Sequence, residues 1–537
     1  MPFEVNMLDA IVISDTGNDT YSVSSLLRLQ VEGRPAIIQN VRNMLENDGR
    51  IVDPVKGENE NNWHCAPKLN GIVLLSRLLG EGVNAELIDS YYSERHRFLQ
   101  LLRDNPKMVV ISTTFILNKK SLYDLVRDIR SVAPDIYIVA GGPFVYSSYL
   151  IMQRRGSSGY DVTSPSDDYL FLNDDNRPDV DLYIVSMKGE WVLSKALGLI
   201  KSGKAVSGLP DVAHWDGRRY VFSPRSVSEV DPDDPSIDWD GMPDDLFKSG
   251  AVNVQASYGC PCKCEFCNFV RGDRPAHVKP LGVLVSELTR IAARGIKYVR
   301  FVDDNFRLGR NDLNRVCEAF LEAGLNLKWM SFFRASSLEG ADLELLKRAG
   351  CIEVQMGVES ADREVLRRMN KKSDPDMYAR VIGRLLDAGI DCSCCFIVGF
   401  PGETRESFER TVDFIESMPN PSQPGLFSWS IYPFLLVPLS PIYEPAKRAE
   451  YGLSGYMKEW KHSTMDSATA HRCIRSAFRR IENTSPIYSG DNLEMMAGLS
   501  LEKKKNFIKL RHSLSKRFLD APYDKSLVVR SFAEILK

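Results

Sequence analysis

The chain has 537 residues, 44% of them hydrophobic and 26% charged, with a formal net charge of -3. Its length exceeds what one hydrophobic core supports and predicts three domains, while the composition excludes a disordered or fibrous chain. The near-neutral charge excludes a nucleic-acid binder that works by broad phosphate neutralisation, which leaves a small molecule as the expected partner.

The opening MPFEVNMLDAIVISDTG lacks the basic, apolar and small-residue order of a signal peptide, and no apolar run is long enough to span a bilayer. A cytoplasmic protein without a membrane partner is expected, its 11 cysteines reduced or bound to metal. Over residues 1–205, LDAIVIS, AELIDS, KMVVISTTF and IYIVAGGPF read as buried strands. Between them KLNGIVLLSRLLGEG reads as a helix closed by Gly80 and Gly82, and Ser121-x-x-Asp124 as the capping box of another. Continuous apolar strands separated by helices predict an α/β, doubly wound parallel sheet of Rossmann-like type, whose ligands bind beyond the strand carboxyl ends. Residues 206–249, rich in Asp, Pro and Ser, read as a linker with a small hairpin.

A second alternation occupies residues 250–437. AVNVQAS, KYVRFVDD, LKWMSFFRAS, IEVQMGVES, DCSCCFIVGF and LFSWSIYPF read as strands, and several of the helix-period segments between them end in Gly. This pattern predicts a partial (β/α)6 barrel with its chemistry at the strand carboxyl ends. Residues 438–537 are more basic and read as a helical C-terminal extension.

Cys260, Cys262, Cys264 and Cys267 crowd SYGCPCKCEFCNF, directly after the first barrel strand. Cys260-x-x-x-Cys264-x-x-Cys267 suits thiolate ligation of an iron–sulfur cluster, and three thiolates on a [4Fe–4S] cube leave one iron open. A zinc site that recruits Cys262 is a rival, although no distant second ligand pair appears. A Cys264–Cys267 redox pair is another, although it would want a thioredoxin-like setting. Cys262 is read as a bystander.

The cysteine spacing resembles that of the radical S-adenosylmethionine (SAM) superfamily, over about residues 252–433. The resemblance implies that SAM chelates the open iron. An external one-electron reductant of flavodoxin or ferredoxin type then drives its cleavage to a 5′-deoxyadenosyl radical. It also implies that Asp303, Asp304 and Asn305 of FVDDNF accept hydrogen bonds from the SAM amino group, and that Arg334 holds the carboxylate in fork geometry. Glu359 and Ser360 of MGVES, with Gly399, Gly402 and Glu403 of FIVGFPGET, would complete the SAM site, the glycines allowing close approach of the adenosine. Each of these motifs alone also reads as a solvated turn. VLRRMNK, after MGVES, looks like the barrels of methylthiotransferases and many cobalamin-dependent relatives.

A Rossmann-like domain ahead of such a barrel resembles the cobalamin-binding class of this superfamily. The matching residues are PKLNGIVLLSRLL, VVISTTF with Ser112, Thr113 and Thr114, VAGGPF with Gly141 and Gly142, and MKGE with Lys188, Gly189 and Glu190. Their resemblance implies bound cobalamin (methylcobalamin), with small residues admitting the corrin and the Ser112 and Thr113 hydroxyls meeting its nucleotide tail. The Asp-x-His-x-x-Gly motif is absent. Asp211, His214 and Gly217 come near it, but His214 is one position late and beyond the expected sheet, so it reads as a decoy. A Rossmann-like domain without a cofactor is the alternative. His64 reads as a loop or capping residue.

The class implies methyl transfer to an unactivated carbon or phosphinate phosphorus of a small molecule, in natural-product biosynthesis. Two SAM molecules would be consumed, one leaving as S-adenosylhomocysteine and one as 5′-deoxyadenosine. SPIYEPAKRAEYGLSGYMKEWKHSTMDS, with Pro441, Tyr443, Trp460, His462 and Thr464, is faintly similar to phosphinate P-methyltransferases. It offers His462 or Tyr443 either as substrate contacts or as ordinary packing. Ring formation or rearrangement without methylation, and a non-catalytic metal-stabilised binding protein, are the alternative functions.

Overall fold

The computed structural model describes residues 8–17, 27–52, 66–173, 179–187, 189–225, 237–269, 277–306, 312–418, 422–488, 491 and 494–536. His64, Lys188 and part of the expected linker, residues 226–236, lie outside them. The chain forms two units, Met1–Thr20 with Pro67–Leu246, and Tyr21–Ala66 with Phe247–Lys537.

The first unit is built on β1 (Ala10–Ile13), β2 (Ala85–Ile88), β3 (Met108–Ser112), β4 (Tyr137–Gly141), β5 (Leu182–Ile184), β6 (Val212–Trp215) and β7 (Tyr220–Phe222), in the sheet order β2-β1-β3-β4-β5-β6-β7. The first five are parallel, and β6 and β7 join antiparallel. Every residue of β1 and β3 is buried, as a strand covered on both faces requires. Strand order reverses about β1, so a topological switch point lies at the carboxyl ends of β1 and β3.

Three sequence expectations are corrected here. Residues 206–225 hold the expected small hairpin but are not linker: Val212 and Ala213 are buried, and the β6–β7 hairpin extends the sheet, placing His214 in a strand rather than beyond it. β5 escaped the periodicity reading because it has only three residues. Ser121 does not cap its helix. Lys119–Val132 starts earlier, and the Asn118 side chain accepts from Ser121 N at 2.9 Å.

The second unit is built on β8 (Ala251–Val254), β9 (Tyr298–Phe301), β10 (Lys328–Phe333), β11 (Cys351–Glu359), β12 (Asp391–Val398), β13 (Phe427–Pro433) and β14 (Ser485–Pro486), which pair in chain order and in parallel. β14 comes from the region read as purely helical, so a short seventh strand extends the expected six. The helices between strands start where the sequence supplies side-chain acceptors: Asp312, Asp342, Asp362, Asp374 and Thr404 each accept from a first-turn backbone N–H. Gly324, Gly350 and Gly389 follow three of them with positive φ.

Side chains alternate between the helical layer and the barrel interior. Val354, Met356 and Val358 of β11 are fully buried on the outer side, and Phe396 of β12 and Trp429 of β13 contact helix residues Phe414 and Phe478. Glu353, Gln355, Ser393, Cys395, Ser428 and Tyr432 therefore face inward, as does Arg300 of β9, whose neighbours Val299 and Phe301 are buried outward.

Residues 27–52 belong to this second unit, not to the N-terminal sheet as the alternation suggested. Leu29 N donates to Tyr488 Oη at 2.8 Å and Ser515 Oγ at 3.0 Å, and Ile38 N to Asp491 Oδ1 at 2.9 Å. They join an apolar cluster with helices Leu501–Asp520 and Lys525–Leu536 that includes Ala251 and Tyr298, the first residues of β8 and β9. This cluster closes the amino end of the barrel. Among the described residues, no helix is long and apolar enough to cross a membrane.

Candidate active site

After β8 the chain turns into the cysteine loop at the carboxyl end of the barrel. The loop is tied down by backbone contacts: Glu265 N donates to Met369 O at 3.0 Å, Asn370 Nδ2 to Lys263 O at 2.7 Å, and Ile442 N to Glu265 O at 2.9 Å. Met369, Asn370 and Lys371 end the VLRRMNK run, so that run acts as a clamp on the loop. Arg334, just past β10, completes it, one guanidinium nitrogen 3.7 Å from Cys264 Sγ and another donating to Lys371 O. Lys371 Nζ lies 2.7 Å from Glu359 Oε1 at the end of β11, both buried, and Glu359 holds a left-handed φ of 68°.

Cys264 is buried, and Cys260, Cys262 and Cys267 are half-buried. Burial pushes the Cys267 thiol up to about 11. The Cys260–Cys262 hydrogen bond raises Cys260 and lowers Cys262 to about 6, helped by Arg334 and Lys371. Among the described residues no three Cys, His, Asp or Glu side chains converge as a metal site, Cys260 being turned toward Cys262. The donor set itself fits a [4Fe–4S] cube: three thiols on one loop, in a hollow whose guanidinium and ammonium groups offset thiolate charge.

The remaining SAM-site expectations divide. Asp303 accepts from Ala256 N at 3.2 Å, from Ser257 N, and from Ser257 Oγ at 2.6 Å, and burial pushes it up to about 6. It therefore anchors the approach to the cysteine loop instead of facing a ligand. Asp304 Oδ2 accepts from Gly259 N at 3.0 Å, beside Cys260, and burial raises its pKa. Asn305 is buried with its Oδ1 unpartnered, an acceptor suited to an ammonium donor. Ser360 is also diverted to structure. Fully buried, it accepts from Asp362 N at 3.1 Å and lies 3.4 Å from Thr411 Oγ1.

Gly399 and Gly402 have φ of 92° and 91°, and an added Cβ would lie 2.2 Å from Trp460 Cη2 and 2.1 Å from Arg368 Nη1 respectively. The left-handed φ favours glycine at both positions, and the rigid Trp460 ring adds a packing demand at Gly399. Glu403 is fully buried and accepts from Gly399 N, its Oε1 is unpartnered, and burial pushes it up to about 8. His462 Nε2 donates to Gly399 O at 3.0 Å, while its Nδ1 accepts from Thr464 Oγ1 at 3.2 Å. Its ring stacks on Trp460 at 5.2 Å, and Tyr443 is fully buried. Of the readings left open for this segment, ordinary packing is the one the contacts match.

At the carboxyl edge of the first unit, Thr113 Oγ1 donates to Gly141 O at 2.9 Å and is buried. Ser112 Oγ accepts from Asn70 Nδ2 at 2.8 Å and lies 3.1 Å from Thr114 Oγ1. The Ser112 and Thr113 hydroxyls are thus engaged within the fold. Thr114 is half-buried, and Gly142 adopts a φ of 114° against Thr113. Sequence reasoning missed Asn70. Its Nδ2 also donates to Ser14 O at 2.9 Å, tying the ends of β1 and β3 together at the switch point, and its Oδ1 is unpartnered. The signal was an Asn at the start of the quoted PKLN helix. Phe115, Leu117, Met187 and Trp191, which follow β3 and β5, are exposed large apolar residues.

Residues 254–415 match the Radical SAM superfamily. The chain is 23% identical over 365 residues to an uncharacterized methyltransferase of Pyrococcus horikoshii, covering 65% of this chain and 73% of that protein. It is 29% identical over 280 residues to the anaerobic magnesium-protoporphyrin IX monomethyl ester cyclase of Cereibacter sphaeroides, covering 48% of this chain and 44% of the cyclase, so it spans less than half of that relative. Among solved structures it is similar to the cobalamin-dependent S-adenosylmethionine radical enzyme OxsB with aqua-cobalamin and S-adenosylmethionine bound, with a TM-score of 0.60 and 14% identity over 98% of this chain and 75% of that one. It is also similar to the radical S-adenosylmethionine methyltransferase TsrM of Kitasatospora setae with cobalamin and a [4Fe-4S] cluster bound, with a TM-score of 0.55 and 16% identity over 81% of this chain and 77% of that one. At these identities the structural likenesses speak to the fold, a Rossmann-like sheet ahead of a radical SAM barrel.

Proposed function

We propose that this chain, which carries a radical SAM domain within the fold of cobalamin-dependent radical SAM enzymes, is a methyltransferase acting on a small molecule. The observation that carries the reading is the Arg334 clamp, which fixes the cysteine loop at the barrel mouth by bonding both Cys264 and the Lys371 carbonyl. Bound there, a [4Fe–4S] cluster and SAM supply reductive sulfonium cleavage, and cobalamin on the first unit supplies a methyl carrier.

Cys260, Cys264 and Cys267 hold the cluster as thiolates, for which Cys260 turns away from Cys262. Arg334 and Lys371 offset their charge, and the buried Glu359 keeps Lys371 in place. Asn305 Oδ1 and the Asp304 carboxylate accept from the SAM amino group. For the corrin, the exposed apolar residues Phe115, Leu117 and Met187 offer apolar contact, Asn70 Oδ1 an acceptor for an amide N–H, and the glycine backbone at Gly142 room for close approach.

The methylated atom is an unactivated carbon or a phosphinate phosphorus, in natural-product biosynthesis in the cytoplasm, with electrons from a flavodoxin or ferredoxin. Anaerobic reconstitution with iron, sulfide and cobalamin, followed by SAM and a reductant, tests the proposal. Brown protein that retains cobalamin and releases both 5′-deoxyadenosine and S-adenosylhomocysteine is expected. Colourless zinc-loaded protein that leaves SAM intact overturns it. Likeness to the cyclase favours a second reading, ring formation without methyl transfer, which predicts 5′-deoxyadenosine without S-adenosylhomocysteine.

A further inference from the structure

The barrel interior carries two guanidiniums, Arg300 and Arg28, that make no ion pair within 4.0 Å among the described residues. Arg300 of β9 faces inward and is half-buried, and desolvation by the surrounding protein depresses its pKa. No hydrogen bond or ion pair of its side chain occurs among the described residues, and Glu353, two strands away, is its charged neighbour. The Glu353 carboxylate is engaged by Ser393 Oγ at 2.8 Å and Gln355 Nε2 at 3.4 Å.

Arg28 reaches the interior from outside the strands. Its segment is pinned through Leu29 to Tyr488 and Ser515, and its guanidinium lies 5.7 Å from the Tyr488 ring, within electrostatic reach of Tyr432 and Cys395 of the inner wall. Burial again lowers its pKa, and its Nε is buried without a partner. Nearby Arg511 already has a counter-ion in Asp491, and Lys371 has one in Glu359, so neither competes for the role. An arginine stays charged when partly withdrawn from water, and such a charge without a partner carries a desolvation cost, so two of them on one inner wall favour an occupant that supplies negative charge.

We infer that the barrel lumen binds its substrate through an anionic group, a carboxylate or a phosphorus oxyanion, met by Arg28 and Arg300. The inference rests on the proposed function only in taking the lumen to be where substrate reacts. Arginine suits planar or tetrahedral oxyanions through paired N–H donors, and Ser393, Ser428 and Tyr432 add neutral hydroxyls to the same wall. Arg28 also gives the excursion of residues 27–52 into this unit a purpose beyond closing the barrel floor.

Equilibrium dialysis of the anaerobically reconstituted full-length protein against phenylphosphinate, benzoate and benzamide tests the site. Wild type should retain at least one of the two anions roughly tenfold more tightly than neutral benzamide, a difference in line with charge-assisted hydrogen bonds. Which anion is preferred separates a phosphorus oxyanion from a carboxylate. Arg28→Gln and Arg300→Gln should each weaken anion binding about tenfold, with partial recovery in the Lys variants. Benzamide bound as tightly as the anions, no retention of either anion, or Gln variants binding like wild type would each overturn the inference. Should a variant fail to fold, the charged-against-neutral comparison on wild type decides alone. Release of 5′-deoxyadenosine from the same wild-type preparation reads the proposed function separately: anion retention without it sinks that function and leaves this site standing.

Discussion

Replacing Lys371 with Met leaves the Glu359 carboxylate buried without its cation. The two groups stand 2.7 Å apart with side chains 8% and 10% exposed. At an effective dielectric constant of about 20, that separation is worth about 6 kcal/mol of attraction, which the desolvation of two ions largely offsets. The intact pair is therefore close to neutral for stability, whereas removing one partner keeps the other's desolvation penalty and costs about 3–5 kcal/mol. Glu359→Gln with Lys371→Met should recover most of that loss, giving a coupling energy of about 2 kcal/mol or more in a double-mutant cycle. Urea unfolding of the four cluster-free proteins, followed by fluorescence and circular dichroism, measures it. If Lys371→Met loses less than about 1 kcal/mol, or the double variant shows the sum of the single losses, the two groups are not coupled as a buried ion pair.

The pH dependence of stability should carry the signature of Glu403, held at about 8 against an ordinary 4.5. Between those values the folded state keeps a proton that the unfolded chain has lost, so stability falls as pH rises above about 4.5 and levels off above about 8, by at most about 1.4 kcal/mol per pH unit. Glu403→Gln should lack this decline, so urea midpoints of the two proteins that run parallel across that range would contradict it. Gly399→Ala should destabilise by about 2 kcal/mol or more, because its Cβ meets Trp460 at 2.2 Å and its φ is 92°, and thermal melts read the loss directly. Cys264→Ala should abolish iron uptake and 5′-deoxyadenosine release, while Cys262→Ala should retain both. A metal assay showing equal losses in the two variants would return Cys262 to the ligand set.

Much of this protein was legible in the chain itself. The parallel strands β1, β3 and β4 of the first unit announced themselves because burial on both faces demands unbroken apolar runs, and several helices because terminal glycines obey local backbone chemistry. The cysteine loop was legible for a similar reason, since three thiols on one short loop are a donor set whatever surrounds them.

Only the tertiary structure decided which polar strand-end residues are engaged within the fold. Asp303, Ser360, Ser112 and Thr113 had the right chemistry and the right addresses, yet the Ser257 hydroxyl, the Asp362 N–H, the Asn70 amide and the Gly141 carbonyl respectively engage them. Asn70, Lys371 and the inward Arg28 and Arg300 gained their meaning from partners, or the lack of them, far away in sequence. Hydrogen-bond satisfaction is settled by distance in space, and a sequence encodes it only where the partner lies within a turn or two along the chain.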